Sequence, residues 1–332
     1  MTERFEILRQ WVAERLGRED FSLQPASEDA SFRSYFRVQY DATSYIVMDA
    51  PPAREDSKPF IEVSRSFHAL GLNVPEVLEV DLQRGFLLLT DLGSRLYLDA
   101  LNEDTVERLY GDAMGALLVL QACGPATEQL PAYNHRLLWD EMELFRDWLL
   151  QQHLGIELGP DQQQLLDKTF AKLAEMALLQ PRTCVHRDYH SRNLMVTEKN
   201  NPGILDFQDA VIGPITYDLV SLLRDCYIDW PRARVLEWVL GYQELALQSG
   251  VLKDVEEQHF LRWFDWMGVQ RHLKAAGIFA RLNYRDGKPG FLQDIPRTVS
   301  YIGEVAGRYE ELADLHELVT MRVMPRLDEI RN

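Results

Sequence analysis

Residues 184–196 read CVHRDYHSRNLMV, a run of charged and polar side chains that begins and ends with apolar residues. Two histidines, two arginines, one aspartate and one asparagine lie between segments that are typical of buried strands. Three kinds of structure accommodate such a run: a phosphoryl-transfer loop, a metal site and an ordinary polar turn. The choice among them depends on the residues that follow.

The sequence after this run favours a phosphoryl-transfer loop. Asn193 follows Asp188 by five residues, and Asp206 follows Asn193 by thirteen. Between Asn193 and Asp206, two apolar segments flank residues 200–203, NNPG, a composition that favours a tight reversal of the chain. If these segments pair as a hairpin, Asn193 and Asp206 lie almost opposite each other at its open end, where their oxygens can hold a hard cation.

These residues supply the groups that phosphoryl transfer needs. Magnesium accepts a few protein oxygens and completes its coordination with phosphate oxygens and water, which makes Asn193 and Asp206 candidate ligands. Asp188 is placed to accept a proton from a hydroxyl acceptor. The pattern H-R-D-x-x-x-x-N followed by D-F is a catalytic signature of kinase folds. A zinc site at His186, Asp188 and His190 is disfavoured because no fourth ligand occurs at a recognisable spacing.

The remaining polar residues of the run have different interpretations. His186 and Arg187 are expected to brace the loop. His190 and Arg192 flank Asp188, and they either meet the charge that develops on the transferred phosphoryl group or belong to a solvated turn.

Charge and composition narrow the class of partner. The chain has 332 residues, with 35 Lys plus Arg against 52 Asp plus Glu, and its net charge of −17 disfavours binding to nucleic acid or anionic membranes. Its widely spaced cysteines, Cys123, Cys184 and Cys226, are expected to be free thiols. No apolar run is long enough to span a bilayer. We expect a cytoplasmic protein that acts on a small molecule, with no obligate protein partner evident.

The first 90 residues have the pattern of a small β-rich lobe. An amphipathic helix comes first, and residues 21–50 then predict three short strands separated by turns. A helix with Ser57 as its cap is expected to run to about Leu70, followed by strands at 76–80 and 86–90.

The rest of the chain has a different character. Residues 91–94 are expected to connect the lobes, and residues 95–332 are rich in helical periodicity, with one embedded hairpin after Asp188. The predicted fold class is α+β: a small five-stranded antiparallel lobe at 1–90 and a large, mainly helical lobe at 95–332. Ligands commonly bind in clefts between such lobes.

Three segments resemble the aminoglycoside phosphotransferase family, small-molecule kinases of the protein-kinase-like fold: HRDYHSRN at 186–193, ILDFQDA at 204–210 and GPITYDLVSLL at 213–223. Within this family the chain is most similar to bacterial sugar kinases of cell-wall recycling. The resemblance implies phosphorylation of the anomeric hydroxyl of N-acetylmuramate or N-acetylglucosamine, with ATP and Mg²⁺. It also implies that Asp188 is the base and that Asn193 and Asp206 hold magnesium.

The resemblance also implies where the nucleotide binds. Adenine would meet the backbone of four consecutive residues, Leu89, Thr90, Asp91 and Leu92. The turn at residues 27–34 lacks the G-x-G-x-x-G of protein kinases. The phosphates would therefore be held by backbone N–H groups, the hydroxyls of Ser31 and Ser34, and Arg33.

The third predicted strand departs from the kinase pattern. Met48 stands where a lysine usually meets the α and β phosphates. Either another cation replaces this lysine or magnesium carries more of the charge; the candidates are Arg33, Arg37, Arg54 and Lys58. Glu62 then either lacks its usual ion-pair partner or lies on a solvated helix face. A nucleotide-binding pseudokinase is the alternative, and the intact Asp188, Asn193 and Asp206 argue against it.

Residues 271–297 bear on the acceptor. They contain six Lys or Arg but only Asp286 and Asp294 as acids. This excess would repel the cationic acceptors of an aminoglycoside or choline-type kinase, whereas the lactyl carboxylate of N-acetylmuramate could pair with an arginine. Arg271 and Arg281 are the candidates, the alternative being ordinary surface charge.

Three further residues have expected roles near the acceptor. His190 is a candidate contact with the substrate. Asp209 could reach either the metal or a sugar hydroxyl. Asp218 is expected to anchor the catalytic loop through hydrogen bonds rather than to touch the substrate.

Overall fold

The computed structural model of the protein describes residues 3–28, 32–125 and 129–331. The strands are β1 (Ser22–Glu28), β2 (Ser34–Tyr40), β3 (Thr43–Asp49), β4 (Val77–Asp81), β5 (Phe86–Thr90), β6 (Arg182–Val185), β7 (Leu194–Met195), β8 (Gly203–Ile204) and β9 (Val211–Pro214). The α-helices are α1 (Glu3–Leu16), α2 (Lys58–Ala69), α3 (Tyr97–Ala100), α4 (Val106–Cys123), α5 (His135–Leu144), α6 (Pro160–Leu178), α7 (Tyr217–Leu223), α8 (Arg232–Gln248), α9 (Glu257–Asp286), α10 (Ile295–Ala306), α11 (Ala313–Leu318) and α12 (Met324–Arg331). Phe145–His153 and Val319–Val323 are π-helical, and Pro289–Asp294 and Glu310–Leu312 are 3₁₀-helical.

The chain forms two compact units. One, the N-unit, comprises residues 1–102 and 193–209; the other, the C-unit, comprises residues 103–192 and 210–332. The segment predicted to connect the lobes, residues 91–94, lies inside the N-unit in this division, and its function as a hinge stays a prediction.

A five-stranded antiparallel sheet in the order β1-β2-β3-β5-β4 forms the centre of the N-unit, which confirms the prediction for this region. Alternate residues of each strand point to opposite faces. One face carries Val38, Val47 and Phe86, which form a core with Trp11 and its neighbours on α1. The amphipathic spacing of the first helix therefore reflects its packing on the sheet.

The start of α2 differs from the prediction that Ser57 is its cap. The helix begins at Lys58, but the Ser57 side chain makes no capping hydrogen bond. Its backbone has helical angles, φ −84° and ψ −5°, whereas a capping residue is usually extended so that its side chain reaches the first free N–H groups. The Asp56 carboxylate instead accepts the Lys58 N–H at 3.0 Å.

Helix α9 is the central element of the C-unit. It has 30 residues, is buried along most of its length, and ends at Gly287, whose φ of +67° is the left-handed conformation typical of a glycine after a helix. A helix surrounded on most sides by protein buries its polar residues too, and these need partners. Among them are Gln270, Arg271 and Lys274.

The expectation for the cysteines is confirmed. Cys123, Cys184 and Cys226 are free thiols. Among the described residues, no helix combines the length and apolarity that crossing a bilayer requires.

Gly277 lets α9 approach its neighbours closely. A Cβ at this position would lie 2.2 Å from the carbonyl carbon of Leu144 and 2.4 Å from its oxygen, where α5 passes into the π-helix. Backbone atoms cannot move aside as a flexible side chain can, so Gly277→Ala should force α9 outward.

We expect Gly277→Ala to lower the free energy of unfolding by about 1–3 kcal/mol, as overpacking does, although alanine is the better helix former. Denaturant unfolding measures the change. The matched control is Gly241→Ala in α8, where a Cβ meets nothing within 4 Å. This variant should be neutral or up to about 1 kcal/mol more stable. If Gly277→Ala were also as stable as the wild type, the close approach would be wrong.

Candidate active site

The catalytic loop leaves β6 at His186 and is fixed in the C-unit by Asp218. The Asp218 carboxylate accepts the backbone N–H groups of His186 at 2.6 Å and Arg187 at 3.0 Å. His186 is fully buried, and its Nδ1 accepts the Asp188 N–H at 3.2 Å. The expected anchoring by Asp218 and bracing by His186 are both confirmed.

Arg187 also has a structural role. Its φ of +80° is in the left-handed region, and its guanidinium lies 2.5 Å from the Glu141 carboxylate of α5. Both side chains of this ion pair are largely buried. The pair holds the loop through the Arg187 side chain, whereas Asp218 holds it through backbone N–H groups.

Glu141 is the centre of a cluster of buried polar side chains that the sequence did not predict. The Lys274 ammonium of α9 lies 3.0 Å from its carboxylate and donates to the Tyr217 hydroxyl at 2.9 Å. The Tyr133 hydroxyl donates to the same carboxylate. We call Glu141, Arg187, Lys274, Tyr133 and Tyr217 the Glu141 cluster. Burial raises the pKa of Glu141, but Lys274 and Arg187 outweigh it and hold the pKa below its usual range.

The same cations act on Asp188. Burial raises the pKa of its carboxyl, but interactions with Lys274, His190, Arg271 and Arg187 outweigh burial and lower the pKa to about 2. Asp188 is therefore ionised at neutral pH. Such a carboxylate accepts a hydrogen bond from a hydroxyl and thereby orients the hydroxyl. This suits phosphoryl transfer, because its loose transition state requires little removal of the proton before the phosphoryl group moves.

The second half of the loop is tied to the segment after α7. Asp225 is buried and accepts the N–H groups of Ser191 at 2.9 Å and Tyr227 at 3.0 Å. The His190 ring meets the Tyr227 ring with centroids 5.3 Å apart, and the Arg192 guanidinium lies 4.6 Å from the centre of the same ring. His190 is half-buried, so an ordinary solvated turn does not describe it, whereas Arg192 is exposed and lies against the Tyr227 ring.

The two arginines predicted for the acceptor have different surroundings. Arg271 is only 5% exposed and donates to the Cys226 sulfur at 3.7 Å, so the surface-charge interpretation is wrong for it. Arg281 is half-buried, and burial lowers its pKa. Contact of either residue with a substrate stays a prediction.

Asn193 and Asp206 lie together in the N-unit. Leu194 pairs with Ile204, and the Leu205 N–H donates to the Asn193 carbonyl at 2.9 Å, so the predicted hairpin forms. The Asn193 amide nitrogen is 3.4 Å from an Asp206 carboxylate oxygen. Which end of an amide is oxygen is assigned from its hydrogen bonds. An amide and a carboxylate supply the hard oxygen donors that Mg²⁺ prefers, so the pair fits magnesium.

Neighbouring residues support this pair. The Gln208 amide donates to the other Asp206 oxygen at 2.7 Å, and Phe207 packs against Phe60 with ring centroids 4.9 Å apart. Asp209 is exposed. Among the described residues no group of three or more His, Cys, Asp and Glu side chains is arranged to hold a metal, which counts against the zinc alternative.

The connector candidates of the N-unit have clear structural contacts. The Asp91 carboxylate binds Arg37 through two hydrogen bonds of 2.7 and 3.1 Å and accepts the Gly93 N–H at 2.9 Å. Leu89 lies in β5 opposite Ile46 of β3. The Asp91 side chain therefore fastens the connector to the sheet. Contact of residues 89–92 with adenine stays a prediction.

Several cations were candidates for the missing lysine. Arg37 is bound to Asp91, Arg33 pairs with Glu55 at 3.2 Å, and Arg54 lies over the Phe32 ring at 4.5 Å. Lys58 is exposed and forms no ion pair with a described residue. Contact of any of these cations with phosphate stays a prediction.

The other small-lobe expectations have separate outcomes. Met48 is fully buried in the sheet, opposite Tyr35 and Leu87. Glu62 is exposed and pairs with no cation among the described residues, as expected of a solvated helix face. Ser34 opens β2, and Ser31 lies outside the described residues.

These features are those of a phosphotransferase. The family model described as "Phosphotransferase enzyme family" matches residues 22–264, and the chain belongs to this family. It is 47% identical over 298 residues to the N-acetylmuramate/N-acetylglucosamine kinase of Pseudomonas putida, covering 90% of this chain and 87% of that protein. It is 43% identical to the kinase of the same name from Neisseria meningitidis serogroup B, covering 94% of each chain.

A solved structure supports the fold. The ADP-bound aminoglycoside phosphotransferase APH(2'')-Ib superposes with a TM-score of 0.57 at 14% identity, covering 90% of this chain and 98% of that chain. The α+β, protein-kinase-like fold expected from the sequence is thereby confirmed.

Proposed function

We propose that this phosphotransferase is an ATP-dependent kinase of the anomeric hydroxyl of N-acetylmuramate and N-acetylglucosamine. The observation that carries the proposal is similarity along nearly the whole chain to kinases named for these two sugars. In this proposal the enzyme acts in the cytoplasm, where it returns cell-wall sugars to metabolism as phosphates.

The residues of the catalytic loop divide the work. Asp188 accepts the hydrogen bond of the anomeric hydroxyl, orients it and takes its proton; a hemiacetal hydroxyl is more acidic than an ordinary alcohol, so a weakly basic carboxylate suffices. Asn193 and Asp206 would hold Mg²⁺, which neutralises phosphate charge when bound. His190 and Asp209 are proposed to meet sugar hydroxyls.

The nucleotide is assigned to the N-unit. Arg33, Ser31, Ser34 and backbone N–H groups of the turn between β1 and β2 are proposed to hold its phosphates. The backbone of residues 89–92 is proposed to bind adenine. ADP in the related aminoglycoside phosphotransferase supports the use of an adenine nucleotide.

The charges around Asp188 favour a sugar over a cationic acceptor. Lys274, Arg271 and Arg187 all act on the Asp188 carboxyl, and burial strengthens their field because less water screens it. An aminoglycoside or choline would bring further positive charge to this place. A neutral or anionic sugar would not.

An ADP-release assay with different acceptors tests the proposal. We expect turnover with N-acetylmuramate and N-acetylglucosamine, none with their methyl glycosides, and none with kanamycin or choline. The methyl glycosides are the matched controls because they lack only the free anomeric hydroxyl. Turnover of kanamycin or choline alone would identify the alternative phosphotransferase, and binding of ATP with no turnover of any acceptor would identify a pseudokinase.

A further inference from the structure

Arg192 is an exposed arginine held in place by aromatic rings of the C-unit. Its guanidinium carbon lies 4.6 Å from the centre of the Tyr227 ring and 5.3 Å from that of Phe291. Phe279 supports both rings: it stacks on Phe291 at 5.8 Å and lies 6.0 Å from Tyr227. A long side chain that is normally mobile at a surface is thus restricted before any ligand binds.

The nearby Asp294 carboxylate interacts electrostatically with this guanidinium but forms no ion pair with it. Among the described residues, the contacts of the Arg192 guanidinium are with aromatic rings rather than in an ion pair, in a chain whose net charge is −17. Asp225 accepts the N–H groups of Ser191 and Tyr227, and Asp294 lies 3.7 Å from Arg297. Arg192 also shares a side-chain hydrogen bond with Tyr227. A guanidinium has five N–H donors, so the others remain available for a carboxylate, which it can bind through two hydrogen bonds.

The position of Arg192 relates it to the reacting group. It follows Asp188 by four residues on one loop, and His190 between them contacts the same Tyr227 ring. Four residues of chain span at most about 14 Å, so a substituent of a sugar whose anomeric hydroxyl meets Asp188 lies within reach of the Arg192 side chain. The substituent that distinguishes N-acetylmuramate from N-acetylglucosamine is a lactyl ether that ends in a carboxylate.

We infer that Arg192 binds the lactyl carboxylate of N-acetylmuramate and thereby sets the preference between the two sugars. The inference rests on the proposed function. It places the carboxylate at Arg192 rather than at Arg271, which is buried beside Cys226, or at Arg281. The rings of Tyr227 and Phe291 hold the guanidinium in position, and the sugar itself remains bound through its hydroxyls.

Steady-state kinetics of Arg192→Gln on both sugars test the inference. Loss of a charged hydrogen-bonded pair should lower kcat/KM for N-acetylmuramate about 10- to 100-fold, chiefly through KM. The value for N-acetylglucosamine should change by less than about threefold, since this sugar has no carboxylate. Arg192→Lys, which keeps the charge but loses the planar fork, should fall between Arg192→Gln and the wild type.

Two comparisons make the result specific. N-acetylmuramate with its carboxylate converted to an amide should be a poorer substrate than N-acetylmuramate for the wild type, and Arg192→Gln should hardly distinguish the two. Arg285→Gln is the matched control, because Arg285 is an exposed arginine of α9 paired with Asp286 at 2.9 Å. It should leave both sugars within about threefold of the wild type.

Other outcomes overturn the inference. Equal losses on both sugars would assign Arg192 to phosphoryl transfer, and unchanged kinetics would exclude it from binding. A selective loss of N-acetylmuramate turnover in Arg281→Gln but not in Arg192→Gln would move the carboxylate to Arg281. Failure of the wild type to phosphorylate either sugar would reject the proposed function itself. Turnover of N-acetylglucosamine also shows that each variant is folded.

Discussion

Replacing Asp188 with asparagine is expected to lower kcat at least about 10³-fold on either sugar, while the affinity for Mg²⁺-ATP stays within about threefold of the wild type. The amide has nearly the same shape as the carboxylate but neither its charge nor its capacity to take a proton. The acceptor hydroxyl would then lose the group that orients it, whereas the proposed nucleotide contacts lie on other residues. ADP release measures turnover, and calorimetric titration with nucleotide measures affinity.

The matched control for this substitution is Asp161→Asn, which replaces an exposed aspartate in the first turn of α6. It should retain wild-type turnover. Activity of Asp188→Asn within about tenfold of the wild type would contradict the assignment of the base. Loss of nucleotide binding together with turnover would indicate instead that the variant had lost its folded structure.

The parts of the site that the sequence predicted are local in the chain. Asp188 and Asn193 are held by a loop of fixed length, and a short hairpin brings Asp206 back beside Asn193. The apolar segments on both sides of the turn at 200–203 pair with each other, which satisfies their backbone hydrogen bonds. The spacing of the residues was therefore enough to predict that Asn193 and Asp206 lie side by side. The five strands of the N-unit were predictable for the same reason, since alternating residues and turn residues are local patterns.

What the sequence did not predict depends on contacts between distant segments. Helical periodicity places Gln270 and Lys274 on one side of α9, but nothing in that pattern identifies Glu141 as their partner. The capping prediction at Ser57 was wrong because residue type alone does not set the backbone angles, and those of Ser57 are helical. Gln270 and Lys274, four residues apart, both lie on the buried part of α9, and such a spacing of polar residues on a buried helix indicates a shared polar partner.

The Glu141 cluster links loop geometry to stability. The Glu141 carboxylate is 6% exposed and balances both Lys274 and Arg187. If the Glu141 charge is removed, the two cations stay buried without a counter-ion, and too little water reaches them to compensate their charge. Removing one partner of a buried pair therefore costs more than the pair contributes.

Glu141→Gln is expected to lower the free energy of unfolding of the C-unit by about 3–5 kcal/mol at pH 7, measured by denaturant unfolding. The pKa of Glu141 is lower in the folded protein than in the unfolded chain. The stabilisation by its charge is therefore fully present above the unfolded pKa and is lost as pH falls through the folded pKa. The difference in stability between Glu141→Gln and the wild type should accordingly shrink in acid.

The matched control is Glu175→Gln, an exposed glutamate of α6, which should change stability by less than about 0.5 kcal/mol. Adding Lys274→Met to Glu141→Gln removes one stranded cation and should restore at least about 1 kcal/mol, because neighbouring groups are coupled. Glu141→Gln alone at wild-type stability would mean that water already reaches these cations. The contribution of Lys274 and Arg187 to the low pKa of Asp188 would then not depend on the exclusion of water.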